Sequence, residues 1–187
     1  ATLNADADFD GAVNVNGTNS KLTNNATLTA GDFTGDAAFE NTATGDATFG
    51  TVTSTAGSIT NAGTLDVTNA WGGTAGLTNQ EGGSATIGGD VSAAATLTNA
   101  GTLTLNGGNS AGTVENTGTL NMNSNNGNII NNDDQGTLVI QAGGIDNTGG
   151  TIDLALSGNT TVNLESVPAG NGQGAAAIRG GDVNLSS

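Results

Sequence analysis

The sequence contains no cysteine, histidine or tyrosine, a single proline and a single tryptophan, and only two cationic side chains, Lys21 and Arg179, against 17 carboxylates. Without cysteine there are no disulfides, no thiolate metal sites and no thiol nucleophiles. Such avoidance is common among proteins exported in extended form through a narrow pore, although it fixes no compartment by itself. A formal net charge of −15 leaves nothing to replace the counterions around a phosphate backbone, which excludes nucleic acid as a partner. An anionic membrane surface is disfavoured for the same reason. No apolar run approaches the ~20 residues of a spanning helix and none resembles a signal sequence, so no membrane insertion is expected of this segment. Ala1, standing where an initiator methionine would, points to a processed or excised fragment.

Bulk is scarce as well. Leu, Ile, Val and Phe together make up 36 of 187 residues, which with this charge lies at the composition border of disorder. Gly, Thr, Asn and Ala supply 114 residues. This excludes an ordinary helical bundle and argues against a doubly wound enzyme, and any packed structure must bury many small side chains.

What is present is a repeat. Ile59-Thr-Asn61-Ala-Gly63-Thr-Leu65-Asp-Val67, Leu97-Thr-Asn99-Ala-Gly101-Thr-Leu103-Thr-Leu105 and Val114-Glu-Asn116-Thr-Gly118-Thr-Leu120-Asn-Met122 share one wording, with looser copies elsewhere. Eight asparagines, Asn24, Asn41, Asn61, Asn79, Asn99, Asn116, Asn131 and Asn147, each follow a large apolar residue by two positions, at steps of 17, 20, 18, 20, 17, 15 and 16. A unit this short cannot bury its own apolar face, so successive units must stack. The alternation in Leu65-Asp-Val67 is that of a strand with one face inward. Asn followed by Gly two places later reads as a bend in which glycine takes positive φ.

These features predict an all-β fold: a right-handed parallel β-helix of about 8–10 coils with a ladder of asparagine amides linked from coil to coil. The solenoid is expected over residues 1–167, with core repeats at 20–157. The Gly- and Ala-rich stretch opening at Pro168 is expected to be a linker within 168–187, with Asp182-Val-Asn-Leu185 as a detached terminal strand available for subunit contacts. Unequal steps imply insertions at corners. Ten coils would form a rod ~48 Å long.

The Asn-x-Gly-Thr-Leu units between residues 58 and 156 resemble the β-helical passengers of bacterial autotransporters and of filamentous haemagglutinin-like adhesins secreted by two-partner systems. The resemblance implies export, an extracellular or bacterial cell-surface location, and adhesion as the activity class. It names no ligand.

Few residues offer chemistry. Asp6-Ala-Asp8-Phe-Asp10-Gly11 has the opening spacing of a calcium loop, but Gly17 occupies the position of the bidentate Glu of an EF-hand. Asp6, Asp8 and Asp10 are thus the one candidate Ca2+ site of a chain that requires no cofactor; the plainer reading is a strand with Ala5, Ala7 and Phe9 inward. Gly-Asp pairs at Asp32, Asp36, Asp46 and Asp90 read as turns capped by their own backbone. Asp133 and Asp134 are adjacent, too close in sequence to share a strand face, and no catalytic residue is assigned. Thr-x-Thr pairs at Thr27/Thr29, Thr51/Thr53, Thr96/Thr98 and Thr102/Thr104 are reminiscent of flat ice-binding ladders, yet they fall on different parts of the repeat and predict no single array. Trp71 reads either as a sugar-stacking platform or as a plug over the core.

The function expected is a non-enzymatic stalk or adhesive surface of a secreted bacterial protein, with host or matrix glycans or surface receptors as partners. The alternative is a self-assembling subunit of an extracellular filament or biofilm fibre, partnered by its own copies. A glycan-active enzyme is a remote third reading.

Overall fold

The computed structural model describes residues 1–55, 57–92, 95–107 and 113–122, together with the strands 129–132, 137–140, 145–146, 151–156, 161–164, 178–179 and 182–186; at 113 and from 122 onward only the backbone is described. Among the described residues there is no helix. The chain winds as a parallel β-solenoid, each coil placing one strand in each of two long sheets. The first sheet has ten strands, from Thr2–Leu3 through Lys21–Asn24, Ala38–Asn41, Ile59–Asn61, Leu77–Asn79 and Thr96–Asn99 to Asp182–Ser186. The second runs from Ala7–Phe9 through Thr27–Gly35, Asp46–Val52, Thr64–Val67, Ser84–Ile87, Thr102–Leu105 and Thr119–Met122 to Thr161–Leu164.

Alternation sets which face is inward. In Thr64–Val67 the burial pattern is exposed, buried, intermediate, buried, and Ser84–Ile87 and Thr102–Leu105 repeat it. Stacking then turns these positions into columns. Leu22, Phe39, Ile59, Leu77, Leu97 and Val114 follow one another inside the first sheet. A third column, Val13, Phe33, Val52, Trp71 and Val91, closes the remaining side of the coil. Phe33, Phe39 and Phe49 meet in one cluster with ring centroids 5.2–5.3 Å apart. Trp71 is fully buried and its Nε1–H donates to Ala75 O at 2.9 Å. It is a core plug, not a sugar platform.

Two inward columns of the second sheet compensate for each other over the coils from Leu28 to Ile87, whereas the next coil carries Leu103 and Leu105 together. Leu28, Ala47, Leu65, Ala85, Leu103 and Leu120 form one, and Ala30, Phe49, Val67, Ile87 and Leu105 the next. Where the first is Ala47 or Ala85, the second is Phe49 or Ile87; where the first is Leu28 or Leu65, the second is Ala30 or Val67. The corner after the asparagine alternates in step. It is short after Asn24, Asn61 and Asn99, but after Asn41 and Asn79 it gains a tight turn, closed by Gly45 N–H to Thr42 O and Gly83 N–H to Gln80 O at 2.9 Å each. Over Asn24 to Asn99 the structural unit is therefore a pair of coils, with asparagines two coils apart separated by 37 or 38 residues.

The corner glycines have a different cause from the one the sequence suggested. Positive φ occurs, among the described glycines, at Gly17, Gly35 and Gly82, not at Gly63, Gly101 or Gly118. A Cβ on Gly63 would run into Gly45 O, on Gly101 into Gly83 O and on Gly118 into Gly101 O. Glycine is required because each corner rests directly on the backbone of the coil before it.

The ends also differ from expectation. Ala7 is half-buried and Phe9 is 45 % exposed, so the first coil turns its apolar side only partly inward. Asp182–Ser186 is not detached: it pairs with Thr151–Leu156 as the last strand of the first sheet. Within residues 168–181, expected as a linker, Ile178–Arg179 is instead a short strand that pairs with Ile145–Asp146 in a separate two-stranded sheet; residues 168–177, 180 and 181 lie outside the described residues.

Candidate functional site

The feature that organises the molecule is the asparagine ladder. Asn24, Asn41, Asn61, Asn79, Asn99 and Asn116 are completely buried at successive corners of the first sheet. Each Nδ2 donates to the Oδ1 of the next asparagine: 24 to 41 at 2.9 Å, 41 to 61, 61 to 79 and 79 to 99 at 2.8 Å, and 99 to 116 at 2.7 Å. The remaining N–H of Asn61 points between Gly63 O of its own corner and Ser84 O of the next coil, both at 3.0 Å. A primary amide is the side chain that supplies both a carbonyl acceptor and two donors from one short stem. Every buried amide is thereby satisfied, which removes the penalty of placing it beside Leu and Phe. Five links within 0.2 Å of one another mean that successive coils meet at the asparagine corner with one regular spacing.

The ladder starts where an aliphatic residue ends it. Leu3 pairs with Asn24 in register, and Asn24 Oδ1 accepts from Ala26 N–H at 3.3 Å instead of from a preceding amide. At the other end the register departs by one residue from the sequence spacing. Asn116 lies opposite Asn132, while Asn131 lies opposite Glu115. Ile130, not Ile129, takes the register position opposite Val114, which sets Asn132 opposite Asn116. Asn132 is followed by Leu156. Asn147 lies outside the described residues.

Asp6, Asp8 and Asp10 are all exposed. Asp6 Oδ1 accepts from Thr27 N–H at 3.0 Å, bracing the first coil on the second, and Asp8 lies beside Thr29 in the strand Ala7–Phe9. An extended strand spaces alternate residues by ~6.6 Å, too far to converge on one cation unless the chain folds back. Among the described residues no group of three carboxylates is placed to hold a metal ion. Three of the Gly-Asp pairs depart from self-capped turns: Asp36 Oδ1 accepts from Gly17 N–H at 2.5 Å, one coil away, and Asp32 and Asp46 lie within strands. Asp133 and Asp134 lie outside the described residues.

One ion pair is present among the described residues, Lys21 Nζ to Glu40 Oε2 at 2.5 Å on the outside of the first sheet. The hydrogen bond from Lys21 holds the Glu40 carboxyl below its ordinary value, with partial desolvation opposing and the Lys21 charge assisting.

Sequence reasoning missed the order on the outer wall of the second sheet. Thr27, Asp46, Thr64, Ser84, Thr102 and Thr119 form one outward column, and Thr29, Thr48, Asp66, Thr86, Thr104 and Asn121 the next. Nine of these twelve positions bear a hydroxyl. The Thr27/Thr29 and Thr102/Thr104 pairs therefore do belong to one array, whereas Thr51 lies beyond it and Thr96/Thr98 lie on the first sheet. The signal was available: counting each coil from its first inward Leu or Ala, instead of from the asparagine, brings these residues into line.

Comparison with protein-family models, with curated proteins and with solved structures finds no match to this chain.

Proposed function

We propose that this chain is a non-enzymatic structural module, a stiff solenoid that serves as stalk or adhesive surface of a secreted bacterial cell-surface protein. The observation that carries the reading is the ladder joined to a continuous core: six buried amides in series and apolar columns without a break between Leu22 and Leu120. Such a stack transmits load along its axis, since bending it would stretch the amide links and the parallel strand ladders together. The composition supports the same reading, because without His, Cys or Tyr only carboxylate chemistry is left, and Asp6, Asp8, Asp10 and Glu40 all stand at the surface. Small-angle scattering and electron microscopy of the purified chain test it. Rigid rods of one solenoid's cross-section are expected, and compact or flexible particles would overturn the proposal.

A second reading, end-to-end assembly with copies of itself into a filament, is favoured by the first coil. Leu3, Val13 and Val15 are only half-buried there and Phe9 is exposed. Another coil laid on this end would cover them, whether it comes from a second copy or from preceding chain. Concentration-dependent fibre growth would separate this reading from the stalk.

A further inference from the structure

We propose that the outer wall of the second sheet binds the surface of ice. The core of the array is Thr64, Ser84, Thr86, Thr102, Thr104 and Thr119, which occupy two columns over four consecutive coils. Thr64, Ser84 and Thr102 are exposed, and Thr86, Thr104 and Thr119 are half-buried by their neighbours. Backbone geometry repeats these hydroxyls every ~4.8 Å along the solenoid axis and every ~6.6 Å along each strand. The wall thus presents its hydroxyls as a regular two-dimensional array, the kind of order that a crystalline surface of water also has. Sheets normally twist by about 20° per strand, which would ruin such order within a few coils. A side-chain ladder is a device that opposes this twist, and here amide links of 2.7–2.9 Å join every coil from Asn24 to Asn116, while the strands of the wall pair in strict register.

The chemistry of the wall selects the occupant. Although the chain carries a net charge of −15, these six residues bear none, so an uncharged lattice of water meets no ionic barrier. Each threonine offers a hydroxyl that can take a lattice position beside a methyl group that orders the water around it. Flat crystalline polysaccharides are instead gripped by stacking on aromatic rings. No aromatic residue lies in either outward column, and Phe33, Phe39, Phe49 and Trp71 are buried. The array has two breaks on one side, Asp46 in the first column and Asp66 in the second, and ends at Asn121, whose Nδ2 donates to Thr104 Oγ1 at 3.3 Å.

The inference concerns one face only and stands whether or not the molecule is a stalk. The test measures, on the purified full chain, uptake into a slowly growing ice hemisphere and the shape of single ice crystals. Enrichment in ice and faceted crystals are expected. Thr102→Lys, at an exposed position, should cut ice uptake about tenfold with an unchanged melting temperature, whereas Thr78→Lys, exposed on the first sheet, should leave uptake as it was. Asp66→Thr repairs a break and should raise uptake, an effect that a purely structural role for the wall would not produce. Exclusion of the chain from ice, equal losses in both lysine variants, or adsorption to cellulose or chitin particles in place of ice would each overturn the proposal.

Discussion

Asn61 accepts from Asn41 Nδ2 and donates to Asn79 Oδ1, each at 2.8 Å, so one side chain joins three coils. The ladder therefore has a direction: in each of the five links from Asn24 to Asn116 the amide donates toward the C-terminal end, and polarisation of each link by its neighbours strengthens the series. The same residue also fixes the corner by donating to Gly63 O, which explains why the ladder and the turn recur as one motif.

Replacing Asn61 by Asp tests the donor role. In Asn61→Asp one carboxylate oxygen would still accept from Asn41 Nδ2, but the other, in the place of Nδ2, would face the carbonyl oxygens of Asn79, Gly63 and Ser84 with no proton to offer, at a fully buried site. A loss of about 3 kcal/mol or more is expected at neutral pH. Burial and facing carbonyls raise the folded-state pKa of the new carboxyl above its unfolded value of ~3.9. The sign follows: relative to the parent chain, stability is retained below pH ~4, where the carboxyl is protonated and can donate once, and is lost as pH rises through the raised folded pKa. Denaturant midpoints of both chains between pH 3 and pH 8 measure the difference. A pH-independent difference would show that the donor is not what matters.

The stacked corner glycines make a paired prediction. In Gly101→Ala the Cβ would strike Gly83 O and Gln80 O and come within 2.9 Å of Asn79 Nδ2, so backbone must shift. A cost of about 2–3 kcal/mol is expected, the range of an overpacked core. Gly11→Ala meets nothing within 4 Å and should be neutral or slightly stabilising, because the alanine restricts the unfolded chain. Thermal unfolding of the two variants gives the contrast directly.

Much of this arrangement was legible in the sequence. The apolar-x-Asn wording located six buried amides and the inward face of the second sheet, because both follow from local alternation. Three things were not. The Asn131 register slipped by a residue because Ile129 and Ile130 are equally apolar, and only pairing with Val114 decides between them. The paired-coil unit was hidden by averaging steps of unequal length. The hydroxyl wall was hidden because its columns form across coils, between residues about 18 apart, where no local pattern records which neighbours will align. The corner glycines were found but misread, since a clash with another coil leaves the same sequence mark as a positive φ.

The Lys21–Glu40 pair should contribute little and in a defined pH window. Its side chains are 55 % and 39 % exposed, so solvent screens the pair and less than about 1 kcal/mol is expected. Since Lys21 lowers the folded-state pKa of Glu40, the contribution is present above the unfolded carboxyl pKa and is lost as pH falls through the lowered one. Glu40→Gln should therefore match the parent chain at strongly acid pH and fall slightly below it at neutral pH. High salt should close that gap.

The paired-coil unit predicts an unusual order of stability among deletions. Removing residues 61–98 deletes 38 positions, joins Thr60 to Asn99 and leaves the long corner of Asn41 beneath the short corner of Asn99, as it had been beneath Asn61. Removing residues 61–78 deletes a single coil of 18 positions but sets Asn79 on Asn41. Two long corners then stack, and Ala47 lies against Ala85 with no leucine between them. The gap that this leaves corresponds to a buried Leu→Ala change, worth about 2–5 kcal/mol. If only the number of coils mattered, the larger deletion would be the less stable, as nearest-neighbour stacking terms are lost. The alternation of volumes and corners reverses that order: the 38-residue deletion should keep the higher unfolding midpoint. Midpoints in the opposite order would mean that the solenoid repeats coil by coil and that the pairing of Ala47 with Phe49 and of Ala85 with Ile87 carries no energetic weight.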